Sequence, residues 1–326
     1  MTTYLLRRLL HYLVLLLLAL ALAYLLAASA LDPRAYFEGR RPPPDPAAVT
    51  AHLRTLGLDD TTPLPARLAH WSGGLLHGDL GRTLDDTSVA AELGRRIGVS
   101  LRLLLAGTVL GTLGGVLAGA WTAVRQYRLS DRVVTLVSFL LLSTPTFLLA
   151  VLLKIGAIKL NSVLGTDLIR FTGERDPGPH PGVLATLGDR GVHLLLPTLS
   201  MSLVTAASYS RYQRNTMLDV LGADYLRTAR AKGLGRRATL LRHGLRTALI
   251  PMATYFSYGF LALFTGATFT EIVFGWHGMG EWLIDSVADN DVNSVVAVSG
   301  FAAVVVLLSG FLADVLHAAL DPRVRR

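Results

Sequence analysis

Cysteine is absent from the 326-residue chain, which excludes disulfide bonds, thiolate catalysis and cysteine-ligated metal sites. Charged residues are also few, at 17% of the sequence, whereas 52% of the residues are hydrophobic. The mean hydropathy is +0.47. A chain of this length with so little polar surface is not typical of a soluble protein. The composition therefore predicts a protein that is embedded in a membrane.

Common catalytic motifs are missing as well. The sequence contains no Gly-x-x-x-x-Gly-Lys-Ser/Thr motif, so it has no loop of the kind that binds ATP phosphates. Neither His-Glu-x-x-His nor Gly-x-Ser-x-Gly occurs, and the nine histidines are scattered. Carboxylates are scarce within the apolar stretches, which disfavours an ion-coupled carrier. We expect no catalytic residue, no metal site and no cofactor bound by this chain.

Six apolar stretches approach or exceed the roughly 20 residues that a membrane-spanning helix needs. Arg7 and Arg8 precede the first stretch and Ala28-Ser29-Ala30 follows it, as in a cleavable signal peptide, but the long apolar run favours an uncleaved helix. The expected fold is an all-α integral membrane protein with six transmembrane helices. The stretches are residues 9–30, 100–121, 133–158, 192–210, 248–270 and 293–317.

The charge distribution predicts the topology. Residues 211–246 contain nine Lys or Arg but only two acids, and such an excess in a short loop marks the cytoplasmic side. Both termini then lie in the cytoplasm, and residues 31–99, 159–191 and 271–292 lie on the outer side. Because the basic residues gather at the ends of apolar runs, the net charge of +8 does not indicate nucleic-acid binding.

This topology divides the chain into two parts. Residues 1–99 comprise the first helix and a small extracytoplasmic subdomain between helices one and two. Residues 100–326 form the transmembrane core, which includes the cytoplasmic segment 211–247.

Small residues and proline within the core predict how its helices pack. Glycines recur every four residues in the second stretch, so that a neighbouring helix can approach closely. Their positions are Gly107, Gly111, Gly115 and Gly119. In the third stretch, Pro145 removes a backbone hydrogen bond, and the hydroxyls of Ser143 and Thr144 can bond the freed carbonyl. We expect a kink at this point.

Residues 224–234 form a polar, basic segment between two spanning stretches. Apolar residues recur at helical spacing as far as Leu226, and Gly233 and Gly235 can end a helix and turn the chain. We therefore expect a helix, a turn and a second helix outside the bilayer. Taken alone, the pattern fits a docking element for a partner protein and equally a basic segment bound to anionic lipid.

Six short motifs occur in the order and spacing of one transporter family. They are Arg7-Arg8-Leu9, Gly78-Asp79-Leu80-Gly81-Arg82-Thr83, residues 217–221, residues 224–234, Glu271-Ile272-Val273-Phe274-Gly275 and Asp321-Pro322-Arg323. Over essentially its whole length the chain resembles the permease subunits of binding-protein-dependent ABC importers. Within that family it is most similar to the first permease of the oligopeptide, dipeptide and nickel subfamily.

The resemblance implies the type I ABC importer permease fold, in which residues 211–247 are the EAA loop. A short coupling helix in this loop docks on an ATP-binding subunit. Arg227 and Thr228 replace the Glu and the first Ala of the usual motif, so no salt bridge is assigned to that glutamate. The docking residues implied are Gly222, Asp224, Tyr225, Arg227, Thr228, Ala229, Arg230, Lys232, Gly233, Leu234 and Arg236.

The resemblance also implies partners and a location. In a prokaryotic plasma or inner membrane, this chain would pair with a second homologous permease and form half of a pathway for oligopeptides or dipeptides. Two cytoplasmic subunits would use ATP and Mg, and an extracytoplasmic binding protein would deliver the peptide. Polar or aromatic groups at membrane depth favour the bundle over lipid. The pathway residues expected on that ground are Ser143, Thr144, Pro145, Tyr209, Tyr255 and Tyr258.

Three alternatives stay open at this point. The same subfamily includes importers of nickel and other small solutes, although the spanning stretches offer few His or carboxylate groups. A membrane receptor would use the outer loop as a sensor and the basic segment as its output. An intramembrane enzyme is the least favoured, because no nucleophile, base and orienting group converge in the sequence.

Overall fold

The structure, a computed structural model, describes residues 2–38, 41, 42, 44–178 and 182–320. For residues 2–5, 253, 254, 257–266 and 316–320 it describes the backbone alone. The described helices are α1 Thr2–Ala30, α2 Ala35–Glu38, α3 Pro46–Thr55, α4 Leu64–Leu76, α5 Val89–Val124, α6 Leu129–Ser143, α7 Thr146–Leu164, α8 Val183–Leu221, α9 Asp224–Ala231, α10 Arg236–Thr239, α11 Arg246–Phe274, α12 Met279–Ala288 and α13 Val292–Leu320. A π-helical turn, Leu240–Leu245, joins α10 to α11.

The helices form two compact units. One comprises Leu101–Trp276 and the residues from Ser309 onward, and the other comprises Thr2–Ser100 and His277–Leu308. The division read from the sequence, 1–99 and 100–326, therefore differs in where it places residues 277–308. Both units are helical, and the described residues contain only one isolated β-bridge, between Arg82 and Ser88.

Five helical segments are long and apolar enough to cross a membrane. They are Leu6–Glu38, Val89–Val124, Thr146–Leu164, Val183–Leu221 and Val292–Val315. They correspond to five of the six predicted stretches. The remaining stretch, 248–270, lies in the continuous helix α11, most of whose middle side chains are outside the described residues.

The third predicted stretch is interrupted where the sequence predicts a kink. Helix α6 ends at Ser143, Thr144 has an extended backbone (φ −92°, ψ 122°), and Pro145 precedes the first residue of α7. The Oγ of Ser143 and the Oγ1 of Thr144 donate to the carbonyl of Leu140 at 3.0 and 2.8 Å. The two hydroxyls therefore bond the carbonyl of Leu140, whereas the carbonyl four residues before Pro145, that of Leu141, accepts from Thr144 N at 3.3 Å. The predicted kink is a complete break because the chain leaves the helical conformation.

Helix α8 packs against the glycine stripe of α5. A Cβ added at Gly111 would lie 2.6 Å from Thr205 Cβ, and one added at Gly115 would lie 2.6 Å from Tyr209 Cβ. At Gly119 the added atom would meet the backbone itself, at Ser210 O and, 2.9 Å away, at Arg214 N. These distances are too short for any larger residue, so the predicted close approach of a neighbouring helix is confirmed.

Helix α8 contains a buried proline, Pro197, within its length. A proline has no backbone N–H and cannot donate to the carbonyl four residues earlier, that of His193. The Oγ of Ser200 donates to the carbonyl of Pro197 at 2.8 Å. Local hydroxyl bonds of this kind satisfy carbonyls in a distorted helix.

A bidentate ion pair joins α6 to α8. Arg214 Nε and Nη2 donate to the two carboxylate oxygens of Asp131 at 2.7 and 2.8 Å. The side chain of Asp131 is 4% exposed and that of Arg214 is 22% exposed. Asp131 lies just before the third predicted stretch, and its hydrogen bonds from Arg214 lower its pKa although burial acts in the opposite direction. The pair is a planar two-point contact that fixes the angle between two helices.

In the other unit, α1, α2, α3, α4 and the start of α13 surround one apolar core. Its buried members are Tyr24, Ala27, Phe37, Val49, Leu53, Leu56, Leu58, Leu84, Val292 and Val296. The Gly78–Thr83 motif turns beside it, with φ of +78° at Gly78 and +84° at Gly81. A Cβ at Gly81 would lie 2.8 Å from Asn293 Nδ2, which donates to Arg82 O at 2.9 Å. The backbone of the motif thus lies in close contact with the Asn293 side chain of α13.

Replacing Gly119 with Ala should lower the thermal unfolding midpoint of the detergent-solubilised protein. The new methyl group meets backbone atoms of α8 that cannot rotate away, and overpacking of this kind costs about 1–3 kcal/mol. Gly114→Ala is the matched control, because its added Cβ would have only Ala206 Cβ, at 4.0 Å, within reach. Equal midpoints for the two variants would contradict the packing of α5 on α8.

Replacing Asp131 with Asn should destabilise the protein at pH 7 on the order of 3 kcal/mol, because it leaves a largely buried Arg214 without its counter-charge. A carboxylate with a lowered pKa contributes stability that is present above its unfolded pKa of about 3.9 and is lost as the pH falls through the folded pKa. The difference in unfolding midpoint between wild type and variant should therefore stay constant from pH 7 to about pH 5 and narrow only below that, as the pH falls through the unfolded and then the folded pKa. Asp219 of α8 is exposed, so Asp219→Asn is the control. It should change neither the stability at pH 7 nor the pH dependence of the unfolding midpoint.

Candidate functional site

The basic segment folds as the sequence predicts, into a helix, a turn and a further helix. Helix α8 ends at Leu221, Ala223 is extended, and α9 begins at Asp224. After α9, Gly233 adopts φ +90°, a left-handed conformation that favours glycine. Its N–H donates to Arg230 O at 2.9 Å, and Leu234 N donates to Ala229 O at 3.2 Å. The turn therefore satisfies the last carbonyls of α9 and reverses the chain.

One apolar side chain anchors α9 to the rest of its unit. Leu226 is 2% exposed, although it belongs to a helix of eight residues that is otherwise polar. A Cβ added at Gly244 of the π-helical turn would lie 3.8 Å from Leu226 Cδ1 and 3.5 Å from Met217 Cε, so the two side chains meet beside that glycine. Met217 is itself buried with Ala123 and Ala248. The anchor thus links α9 to the C-terminal end of α8 and the start of α11.

The opposite face of α9 is open to solvent. The side chains of Asp224 and Arg227 are 94% and 73% exposed and stand 3.7 Å apart, and Tyr225 is 44% exposed. A contact so exposed adds little stability, so these groups are available to another surface. Of the eleven docking residues named from the sequence, Ala229 and Leu234 are half-buried and the other nine are exposed.

A pocket of about 300 Å³ lies between α9 and the ends of α5 and α8. Its walls are apolar on the side of α5 and α8 and basic on the side of α9 and α10. The Nε of Arg230 donates to Leu226 O at 3.4 Å, so this arginine lies along the helix. The lining residues are Ala123, Val124, Gln126, Leu221, Leu226, Arg230, Arg236, Thr239 and Leu240.

The residues suggested for a solute pathway fall into two groups. Ser143, Thr144 and Pro145 form the break between α6 and α7. Tyr209 of α8 and Tyr255 of α11 contact each other, with ring centroids 5.1 Å apart. The side chain of Tyr258 lies outside the described residues.

The structure adds Tyr212, which sequence reasoning missed. Its ring stacks on that of Tyr255 with a centroid distance of 4.6 Å and an interplanar angle of 10°. Tyr209 is 2% exposed and packs against α5, whereas Tyr212 is 36% exposed. The signal was present in the spacing, because Tyr209 and Tyr212 are three residues apart on one helix. The pathway assignment of Tyr209 and Tyr255 stays a prediction.

Comparison with known proteins agrees with this architecture. The chain matches the profile of the family described as binding-protein-dependent transport system inner membrane component over residues 115–326. It is 56% identical over 325 residues to the oligopeptide transport system permease protein OppB of Mycobacterium bovis, with 100% of this chain and 99% of that protein covered.

Two more distant relatives extend the comparison. The oligopeptide transport system permease protein AppB of Bacillus subtilis is 32% identical over 279 residues, with 83% of each chain covered. The glutathione transport system permease protein GsiC of Salmonella typhi is 32% identical over 328 residues, with 100% of this chain and 99% of that protein covered. The profile covers more than half of the chain and the relatives align along most or all of it, so this chain belongs to the family of inner-membrane components of binding-protein-dependent transport systems.

Proposed function

We propose that the chain is a permease subunit of an ATP-driven importer and forms half of a translocation pathway for oligopeptides or dipeptides. The whole-length similarity to an oligopeptide permease protein supports the substrate class. The membrane-spanning helices support the role in translocation. The single observation that carries the coupling mechanism is α9, a solvent-exposed helix fixed to the core through one buried leucine.

In this mechanism the ATPase partner grips the exposed face of α9. A displacement of the helix then acts on its anchor, because Leu226 is packed where the inner end of α8 and the start of α11 meet. Gly222 and Gly233 at the two ends of α9 are turn positions that let the helix move as a rigid body. ATP binding and hydrolysis would thus reorient α8 and α11 without any chemistry in this chain.

The charge of the coupling segment suggests what the partner surface is like. Residues 224–237 contain five Lys or Arg and a single acid, Asp224. Opposite charge on the partner would steer and orient docking. We therefore expect a groove on the ATPase that is acidic at its rim and has an apolar place for Tyr225.

The other components follow from the same proposal. Because the sequence lacks an ATP-binding loop, two cytoplasmic subunits would bind and hydrolyse ATP with Mg. A second permease would complete the pathway, and an extracytoplasmic binding protein would present the peptide. Both termini would lie in the cytoplasm, on the side of the coupling segment.

Isolation of the chain from its native membrane in mild detergent, followed by mass spectrometry, tests the assembly. We expect a second permease of similar length and one or two ATPases to accompany it. A folded chain that elutes without these partners would favour the receptor alternative. Uptake measured with labelled peptide and with nickel salts then separates the two substrate classes. An unlabelled excess of the true substrate should compete with its labelled form and suppress that uptake.

Replacing Gly233 with Val should abolish peptide uptake while leaving the amount of protein in the membrane unchanged. A β-branched residue is strongly disfavoured at φ +90°, so the turn after α9 must rearrange. Gly235→Val is the matched control, because Gly235 has φ −62° and ψ 151°, which any residue adopts. Normal uptake by the Gly233→Val transporter would argue against α9 as the coupling element.

Replacing Asp224 with Arg should reduce recovery of the ATPase with the solubilised permease several-fold. The change removes the one acid of residues 224–237, which would face a basic group of the partner, and places a positive charge at the helix N-terminus, where the dipole is already positive and the helix is destabilised. Asp219→Arg makes the same charge change at an exposed position of α8, five residues earlier, and should leave recovery unaltered. If both variants retain the ATPase equally, Asp224 does not face it.

A further inference from the structure

A histidine and two aspartates meet at the outer end of α8. Atoms of Asp176, Asp189 and His193 that can bind a metal all lie within 4.8 Å of one another. Asp189 and His193 are one helical turn apart on α8, and Asp176 belongs to the segment that precedes this helix. Nothing in the proposed transport mechanism uses these groups. Of the described residues, no other set of three His, Asp or Glu groups has this proximity.

The orientation of His193 suits a metal ligand. Its side chain is 2% exposed, and its Nδ1 lies 2.9 Å from the carbonyl of Asp189. A carbonyl can only accept, so Nδ1 donates to it; Oδ1 of Asp189 lies 3.4 Å from the same nitrogen. In the neutral ring the lone pair is then on Nε2, the nitrogen that faces Asp176. Histidines that bind metals commonly donate their other ring N–H to a backbone carbonyl, which fixes the ring and the tautomer.

The distance across the cluster also suits a bound cation. Nε2 of His193 is 3.5 Å from Oδ1 of Asp176, which is longer than a good hydrogen bond. Two ligands of a tetrahedral zinc ion, each at about 2.0–2.1 Å, stand about 3.3 Å apart. The two atoms are therefore about as far apart as two ligand atoms of one zinc ion. Asp189 has one oxygen 3.1 Å from the N–H of Asp176, which orients its carboxylate.

The charge and accessibility of the cluster are consistent with binding from solvent. Asp176 is 37% exposed and provides an entry side, while His193 closes the inner side. Arg170 pairs with Oδ2 of Asp176 at 3.2 Å, on the oxygen that does not face His193. Two carboxylates and one guanidinium leave the cluster net negative, which attracts a cation, and Arg170 holds Asp176 in place.

We propose that Asp176, Asp189 and His193 bind a divalent first-row transition metal ion, with zinc as the best fit to one imidazole nitrogen and two carboxylate oxygens. Magnesium and calcium prefer all-oxygen sites, so they fit less well. Three protein ligands and a water complete a tetrahedron. This inference does not depend on the transported solute or on the ATPase partners.

Such a site would hold the segment 165–176 against α8. The segment is already tied to α7 by Asn161, whose side chain bonds the backbone of Ile169 at 2.9 and 3.1 Å. Gly173 N donates to Phe274 O at the end of α11 at 2.8 Å. An ion pair links Glu174 to Arg102 of α5. The metal would strengthen the contact with α8, where Asp176 N already donates to Asp189 at 3.1 Å, and leave the segment fixed at four helices.

The test is zinc binding to the full-length chain, purified with a histidine-free tag and stripped with a chelator. We expect one zinc ion per chain by equilibrium dialysis and a rise in the unfolding midpoint on adding zinc. His193→Gln should weaken binding by about 100-fold or more and remove the rise, since loss of even an outer-shell partner costs about 10–100-fold. Zinc should also slow tryptic cleavage after Arg175, which is exposed beside Asp176.

His11→Gln is the matched control. His11 also has Nδ1 near the carbonyl four residues earlier, at 2.8 Å from Arg7 O, but no Asp or Glu precedes residue 32 in the sequence. This variant should bind zinc as wild type does. If His193→Gln does not fold, Asp176→Asn at the half-exposed position provides the same readout. Zinc bound equally by wild type and these ligand variants, or by none of them, would overturn the proposal and leave His193 as an ion-pair partner of the two aspartates.

Discussion

The close contact between α5 and α8 is the constraint on which the larger unit depends. Where Gly119 meets Ser210 and Arg214, two backbones touch without intervening side chains. Contacts of this kind stabilise helix pairs in a bilayer because lipid gives no hydrophobic drive to association. Once α8 is held there, its C-terminal end presents the anchor for α9 and its N-terminal part presents Asp189 and His193. The proposed coupling helix α9 and the proposed metal site thus lie at opposite ends of α8.

Polar interactions then fix the angles between helices that packing alone does not determine. The bidentate contact between Asp131 and Arg214 holds the start of α6 to the C-terminal part of α8. A buried pair of this kind is costly to break and weak as a source of net stability. Its contribution is therefore geometric: it fixes the orientation of α8 directly before the chain enters α9. A coupling helix can transmit motion only if the helices behind it keep a defined arrangement.

Features that depend on local sequence could be predicted, and those that depend on distant partners could not. Apolar length identified the spanning stretches, and Gly233 marked the turn after α9, because both are properties of contiguous residues. Asp131 and Arg214 are 83 positions apart, and no periodicity links them. Asp176 lies 13 residues before Asp189, in a segment without regular structure. No sequence pattern therefore links it to His193, and the histidines look scattered. The i, i+4 pair of Asp189 and His193 was the one local signal.

Pro197 divides α8 into two parts that can bend relative to each other. It cannot donate to the carbonyl of His193, so the helix there lacks about one backbone hydrogen bond, whose net contribution is about 1 kcal/mol. The part that follows Pro197 lies along the glycines of α5, and the part that precedes it carries the side chains that face Asp176. Bending is therefore easiest where these two attachments meet. A tilt of the part after Pro197 need not be followed by the part before it, so the N-terminal part of α8 can keep its position while its C-terminal end moves.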